Sequence, residues 1–289
     1  MGSEMCIRDR AYLATKYDMT KNTSRTDGRL DDEVRKLELI SGYTQNAPGS
    51  VLVSTGDTRI ICTATFEEGV PGFLKLPENG YKHGWVTAEY GMLPGSTGKR
   101  KRRERPQVDG RTQEIQRLIG RSLRSVVDLK ALGRHTVWID CDVIQADGGT
   151  RTASITGGFV ALILALRQMQ AEGRFKTFPV SRFLASISVG IFEGRPLLDL
   201  KYDEDVKAEV DMNVVMLDNG DYVEVQGTAE GQTFPRNQLN QLLDYAEKGI
   251  RSHLQNQKKL LGEHLELSLI HISEPTRPLY ISYAVFCLK

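Results

Sequence analysis

The 289-residue chain has almost no net charge: 38 Lys and Arg stand against 37 Asp and Glu, a formal balance of +1. The chain-wide basic excess that often marks a nucleic-acid partner is missing, so any such partner must be met by local clusters. The four cysteines (Cys6, Cys62, Cys141, Cys287) form no C-x-x-C pair, which removes the spacing of zinc and redox motifs. Cys62 and Cys141 fall inside apolar strand-like runs and are expected to be buried free thiols of a reducing compartment. The five histidines (His83, His135, His253, His264, His271) lack H-x-x-x-H spacing and are assigned to surface or structural positions. No run approaches the ~18 apolar residues of a membrane span. The N-terminus has no apolar stretch of the kind that directs secretion. These absences read as a soluble, cytoplasmic chain. The G-x-x-x-x-G-K-[ST] loop of nucleotide-binding folds is also absent, as is any kinase signature.

What is present is an ordinary globular balance, 40% hydrophobic and 26% charged, enough for one or two domains. The two ends break the pattern. Residues 1–18 mix charge and apolar residues without period, and Met19 stands where a chain could start. Residues 268–289 carry two prolines and several aromatics after a helical segment. The expected division is therefore 1–18 and 263–289 as extensions flanking a domain at 19–262.

Within that domain, 50–55 and 58–65 read as strands joined by Gly56-Asp57, a type II′ hairpin signal. Residues 66–110 read as loop. Apolar residues at Ile115, Leu118, Ile119, Leu123, Val126 and Val127 give a helix over 112–129. Alternation of Val137, Ile139, Cys141 and Val143 gives a strand over 136–145. The run from Ile155 to Leu166 is apolar nearly all round, as a buried helix would be. Strands come next at 183–192, 196–202, 212–217 and 222–226, then a helix at 235–261. This order predicts an α/β or α+β fold.

Three stretches carry chemistry. Asp147-Gly148-Gly149-Thr150-Arg151 joins a strand to a helix. Glycines allow a tight turn whose N–H groups converge on an anion, the helix start adds a positive dipole end, and Arg151 offers a fork for phosphate oxygens. The same turn could equally be a plain strand-to-helix joint. Second, Lys99-Arg100-Lys101-Arg102-Arg103-Glu104-Arg105 is the densest basic run in the chain. Downstream of it, Arg117, Arg121 and Arg124 share a helix face beyond Arg111. Either these are solvated faces or they make a local field suited to a phosphate backbone. Third, Asp199, Asp203, Glu204, Asp205, Glu209 and Asp211 form an acidic stretch between two predicted strands. A pair such as Asp205 and Asp211 would suffice for Mg2+, which takes one or two carboxylates plus phosphates and water; the alternative is a solvated loop.

Taken together, GWVTAEYGMLP (84–94), GRTQEIQRLIGRSLRSVVDLKALG (110–133), DCDVIQADGGTRTASITGG (140–158) and DMNVVM…EVQGTAEG (211–231) resemble the ribonuclease PH family of phosphate-dependent exoribonucleases that trim tRNA 3′ ends. The match runs over roughly residues 24–261. The resemblance implies the ribonuclease PH fold, with mixed β-sheets flanked by α-helices. It also implies a homohexameric ring built as a trimer of dimers. Phosphate ligands would be Arg111, Gly149, Thr150 and Arg151. The catalytic and metal-associated aspartates would be Asp205 and Asp211. RNA contacts would come from Arg100, Arg102, Arg103, Arg117 and Arg121, with inorganic phosphate as co-substrate and Mg2+ as cofactor. One departure is Gly95, where the family usually has an arginine; the 99–105 run could replace that charge. A catalytically silent RNA-binding ring subunit is the alternative. Retention of Arg111, Arg151, Asp205 and Asp211 speaks against it.

Overall fold

A computed structural model describes residues 25–265 other than 79, 104–107, 232 and 264. The expectations for residues 1–18, Met19 and 268–289 lie outside the described residues, as do Cys6, Cys287, His264, His271, Glu104 and Arg105.

The first half of the described chain contains β1 (Leu37–Ser41), β2 (Gly49–Thr55), β3 (Thr58–Glu68), β4 (Trp85–Met92), α1 (Gly110–Arg124), β5 (His135–Gln145) and α2 (Thr150–Ala171). The second half contains β6 (Leu184–Phe192), β7 (Arg195–Leu198), α3 (Tyr202–Asp205), β8 (Val210–Leu217), β9 (Tyr222–Ala229) and α4 (Arg236–Leu261). One sheet has the order β1-β2-β3-β5-β4 and the other β7-β6-β8-β9. Every pairing is antiparallel except β4 with β5. This is the expected mixed α/β class.

α2 explains how the halves join. It packs on β2 and β3 of one sheet and on β6 of the other, so a helix apolar on all sides is what the position requires. Gly157 lets it come close: a Cβ there would lie 2.2 Å from Val53 Cγ2. Among the described residues α2 is also the one helix long and apolar enough, by length and composition, to cross a membrane. The expectation that no such run exists is corrected accordingly. Most of the helix is buried between the sheets, as a core helix is. α4 covers β6 and β7, and Gln257 Nε2 ties it to the carbonyls of Thr156 (3.0 Å) and Leu184 (2.9 Å). The hydrophobic cluster is continuous across both sheets and reaches Leu265. Arg167 bonds the carbonyls of Leu261 and Leu265, so packing continues past the expected boundary at 262.

Cys62 and Cys141 face each other across β3 and β5 and are buried free thiols. His253 is buried against the Ser186 carbonyl, and burial pushes its pKa down, which fits a neutral structural role. At the Gly56-Asp57 hairpin Gly56 has φ +56° while Asp57 does not take positive φ, the pattern of the expected type II′ turn.

Two readings are overturned. Residues 66–110 are not all loop: β3 continues to Glu68 and β4 crosses the middle. β4 buries Val86, Ala88 and Tyr90 alternately, a period-2 signal carried by only three inward residues on an edge strand. The strand expected over 196–202 stops at Leu198, because Asp199 turns the chain at φ +55° to bury its carboxylate. The end of that range instead opens α3 at Tyr202.

Candidate active site

α1 begins where the Asp109 carboxylate accepts a hydrogen bond from Thr112 N at 2.6 Å, a side-chain N-cap. The cap starts the helix at Gly110, ahead of the expected 112, and so puts Arg111 in its first turn. β5 ends in the Asp147–Gly149 turn. Gly148 and Gly149 have φ +76° and +66°, and Gly149 caps α2 with no side chain. The first N–H groups of α2 are thus left for an outside acceptor. Neither helix has an acidic residue in its first turn. Each has an arginine there instead, Arg111 and Arg151, against the preference set by the helix dipole.

Packing from distant parts of the chain fixes the turn. Thr58 Oγ1 donates to Gly148 O at 2.7 Å and accepts from Asp147 N at 2.9 Å. A Cβ on Gly148 would lie 2.5 Å from Leu200 O, so the second half of the chain is pressed against the turn. Tyr90, buried on β4, donates its hydroxyl to Thr150 Oγ1 at 2.9 Å. A hydroxyl that accepts one hydrogen bond keeps its own proton to give, here toward the space in front of the turn.

Asp205 ends α3 and Asp211 is the second residue of β8. Burial pushes both carboxyls up. For Asp211 the neighbouring Asp205 adds to the effect, raising it to about 6 against the opposing pull of Arg151 and Arg111. Asp205 is drawn back down by Arg111, Arg151 and Arg35. The structure thus brings Arg111, Gly149, Thr150, Arg151, Asp205 and Asp211 into one cluster. Two half-buried carboxylates, both raised by burial and Asp211 further by Asp205, offer hard oxygen donors for a divalent cation. Among the described residues no group of three or more His, Cys, Asp or Glu could hold a metal by itself, so a Mg2+ on this pair would need substrate oxygens and water to complete it. Arg151 is held only loosely, with Nη1 3.5 Å from Glu114 Oε1.

The basic residues divide. The loop after β4 is pinned at the same end as the turn, through Leu93 N to Val143 O (3.0 Å) and Ala146 N to Ser96 O (2.8 Å). It carries Arg100, Arg102 and Arg103 exposed. Gly95 lies in this loop with open space where a side chain would be. Arg117 and Arg121 are exposed on α1 but run away from the turn, Arg121 about 15 Å along the axis from Arg111, and Arg121 meets Glu224 at 3.3 Å. Arg124 is not part of that face. Its Nη1 donates to Val86 O at 2.7 Å and its guanidinium lies 4.4 Å over the Trp85 ring, so it holds α1 to β4. Sequence reading missed Tyr90, Thr58 and Arg35 as parts of the site. Only Tyr90 left a signal, as the polar-tipped aromatic of GWVTAEYGMLP.

With that geometry in hand, comparisons with known proteins are specific. Residues 33–168 match the family model described as 3′ exoribonuclease family, domain 1, and residues 183–249 match domain 2 of the same family. The chain is 55% identical over 240 residues to a ribonuclease PH of Syntrophomonas wolfei, covering 82% of this chain and 99% of that protein. It is 56% identical over 245 residues to a ribonuclease PH of Bacillus pumilus, covering 84% and 100%. Among solved structures it resembles an archaeal exosome core (TM-score 0.67, 23% identity, covering 87% and 96%). It also resembles the Archaeoglobus fulgidus exosome with RNA bound to the active site (TM-score 0.65, 22% identity, covering 85% and 96%).

Proposed function

Because this chain belongs to the ribonuclease PH family, we propose how its own residues divide that family's reaction. It is a phosphate-dependent 3′–5′ exoribonuclease, a nucleotidyltransferase that trims tRNA 3′ ends with inorganic phosphate as co-substrate. Arg111, Gly149, Thr150 and Arg151 hold the attacking phosphate. The observation that carries this is the start of α2, which no side chain caps, with Arg151 in its first turn and Arg111 of the neighbouring helix start, all beside Asp205 and Asp211. Positive ends crowded in this way are relieved by an anion.

Phosphate oriented there attacks the last phosphodiester, an oxygen–phosphorus bond forms as the RNA 3′-oxygen leaves, and a nucleoside diphosphate is released. Attack by phosphate nearly conserves bond energy, so nucleotide addition runs in reverse. Position and fixed charge supply the catalysis. Thr150, held by Tyr90, donates a hydrogen bond from its hydroxyl to the phosphate and keeps its proton, and Arg111 and Arg151 meet the charge on the transferring group. Asp205 and Asp211 would hold a Mg2+, which when bound compensates charge on the phosphoryl oxygens. Arg100, Arg102 and Arg103 guide the RNA backbone at the turn, and Arg117 and Arg121 receive it further out. The working unit is the domain that starts at 19 and runs past 262 at least to Leu265, which packs into its core, with 1–18 and the remaining tail as extensions. We assign a homohexamer, a trimer of dimers, in the cytoplasm; two buried free thiols fit that compartment.

The test is a 3′-extended tRNA incubated with and without phosphate. Nucleoside diphosphates appearing only with phosphate support the reading, and monophosphates overturn it. Arg111→Ala should raise the KM for phosphate about ten- to hundredfold, the worth of a charged hydrogen bond, with little change in RNA affinity. Equal losses in both would refute the division of roles.

A further inference from the structure

Behind the turn lies a buried cation that the reaction steps leave unused. Arg35 precedes β1 and its side chain is only 6% exposed. Its guanidinium forks onto Asp199, Nε to Oδ2 at 3.0 Å and Nη2 to Oδ1 at 2.7 Å, while its backbone N–H donates to Oδ2 at 2.8 Å. Nη1 donates to the Asp147 carbonyl, and the second hydrogen of Nη2 is shared between Gly148 O at 3.4 Å and Leu200 O at 3.3 Å. A Cβ on Gly149 would stand 3.1 Å from Nη2, so the guanidinium lies directly against the turn.

We propose that Arg35, locked by Asp199, is a positioning residue for the attacking phosphate: it pulls the Asp147 and Gly148 carbonyls backward so that the N–H groups beyond Gly149 face forward. A peptide carbonyl and the N–H bonded next to it point in opposite directions across one rigid plane. Holding the Gly148 carbonyl from behind therefore aims the Gly149 N–H, and the first turn of α2 is set with it. Thr58 grips the same Gly148 oxygen at 2.7 Å, but only Arg35 holds the Asp147 carbonyl and ties the turn to Asp199. Arg35 is also near enough to help hold down Asp205, after Arg111 and Arg151. Asp199 keeps a left-handed backbone, φ +55°, with its N–H on Ser188 O at 2.8 Å. A non-glycine residue held so points to surroundings that fix its conformation. Planar, two-pronged pairing is what an arginine gives and a lysine does not.

This inference rests on the proposed phosphate site, so the experiment separates the two. Arg35→Lys, Asp199→Asn and Arg35→Ala are compared with Arg151→Ala, measuring KM for phosphate, KM for RNA and kcat. Arg35→Lys and Asp199→Asn should raise KM for phosphate about tenfold, in line with residues that orient a ligand's direct contacts, with KM for RNA unchanged. Arg35 lines a cleft of ≈ 370 Å³, through which added guanidinium should partly restore phosphate KM in Arg35→Ala. If Arg151→Ala raises phosphate KM and the Arg35 and Asp199 variants do not, the present inference falls and the phosphate site stands. If Arg151→Ala also leaves it unchanged, the site itself is wrong. Should phosphate and RNA parameters fall together without guanidinium rescue, or should none of the three Arg35 and Asp199 variants fold, the pair is only structural and the inference is overturned.

Discussion

Asp211 sits where ionisation works against the fold. Burial and Asp205 raise its carboxyl to about 6 from an ordinary value of 3.8. Below the ordinary value the acid is neutral in both folded and unfolded chains and costs nothing. As pH rises through the window from 3.8 to about 6, the unfolded chain releases its proton first, and stability is lost. Asp211→Asn should therefore add on the order of 1–2 kcal/mol to stability at about pH 8, after allowing for the solvent it still meets, and almost nothing at about pH 4. Denaturant unfolding at the two pH values measures this. In the same variant turnover should vanish while assembly is kept, which sizing and a phosphorolysis assay check together. Mg2+ at saturating concentration should shrink the gain, because a bound cation favours the ionised pair. Residues of this kind were candidates in the sequence by type, but residue type left a plain turn or a solvated loop open, and the family resemblance is what picked out these glycines, arginines and aspartates. Tyr90, Thr58 and Arg35 were not, since each acts through a partner 60, 90 or 164 positions away.

At the scale of elements, α2 shows how closely the sheets are drawn together. A Cβ on Gly157 would come within 2.2 Å of Val53 Cγ2 and 2.9 Å of Cys62 Sγ, whereas one on Gly158 would lie 3.2 Å from Ile139 Cγ2. The first must push β2 or β3 away; the second needs a few tenths of an ångström. Alanine gains about 1 kcal/mol over glycine inside a helix, and overpacking a core costs about 1–3 kcal/mol or more. Gly157→Ala, at the upper end of that cost, should thus lower stability by about 2 kcal/mol while Gly158→Ala stays within about 1 kcal/mol of the parent, as urea midpoints would record. A reversed order would mean that α2 stands off from β2 and β3. The same close packing made the element pattern readable. β2, β3 and β5 show their alternation, and β6 and α2 stand out as apolar runs because they are buried on all sides. β1 and β4 lie at sheet edges, and α3 is a single turn, so each has too few inward residues to mark itself.

For the whole molecule, the end of the packed domain is open to direct measurement. Leu265 is buried and Arg167 bonds its carbonyl at 3.2 Å. A chain ending at 262 should be less stable than one ending at 267 by about 1–3 kcal/mol, the worth of one buried leucine plus a hydrogen bond. Equal melting in both would put the boundary back at 262. At this scale the sequence revealed the family and the order of the larger elements, without β1, β4 and α3, but not that the two sheets would share one core through α2. That depends on contacts between segments far apart in the chain. The arginine strap has a further consequence during synthesis. Arg35 is made 164 residues ahead of Asp199, and Arg25, whose fork closes on Glu204, 179 residues ahead of it. At ~5–20 residues per second the ribosome needs roughly 10–35 s to supply those partners. Until then the growing chain holds unmatched guanidinium groups and an unbraced glycine turn.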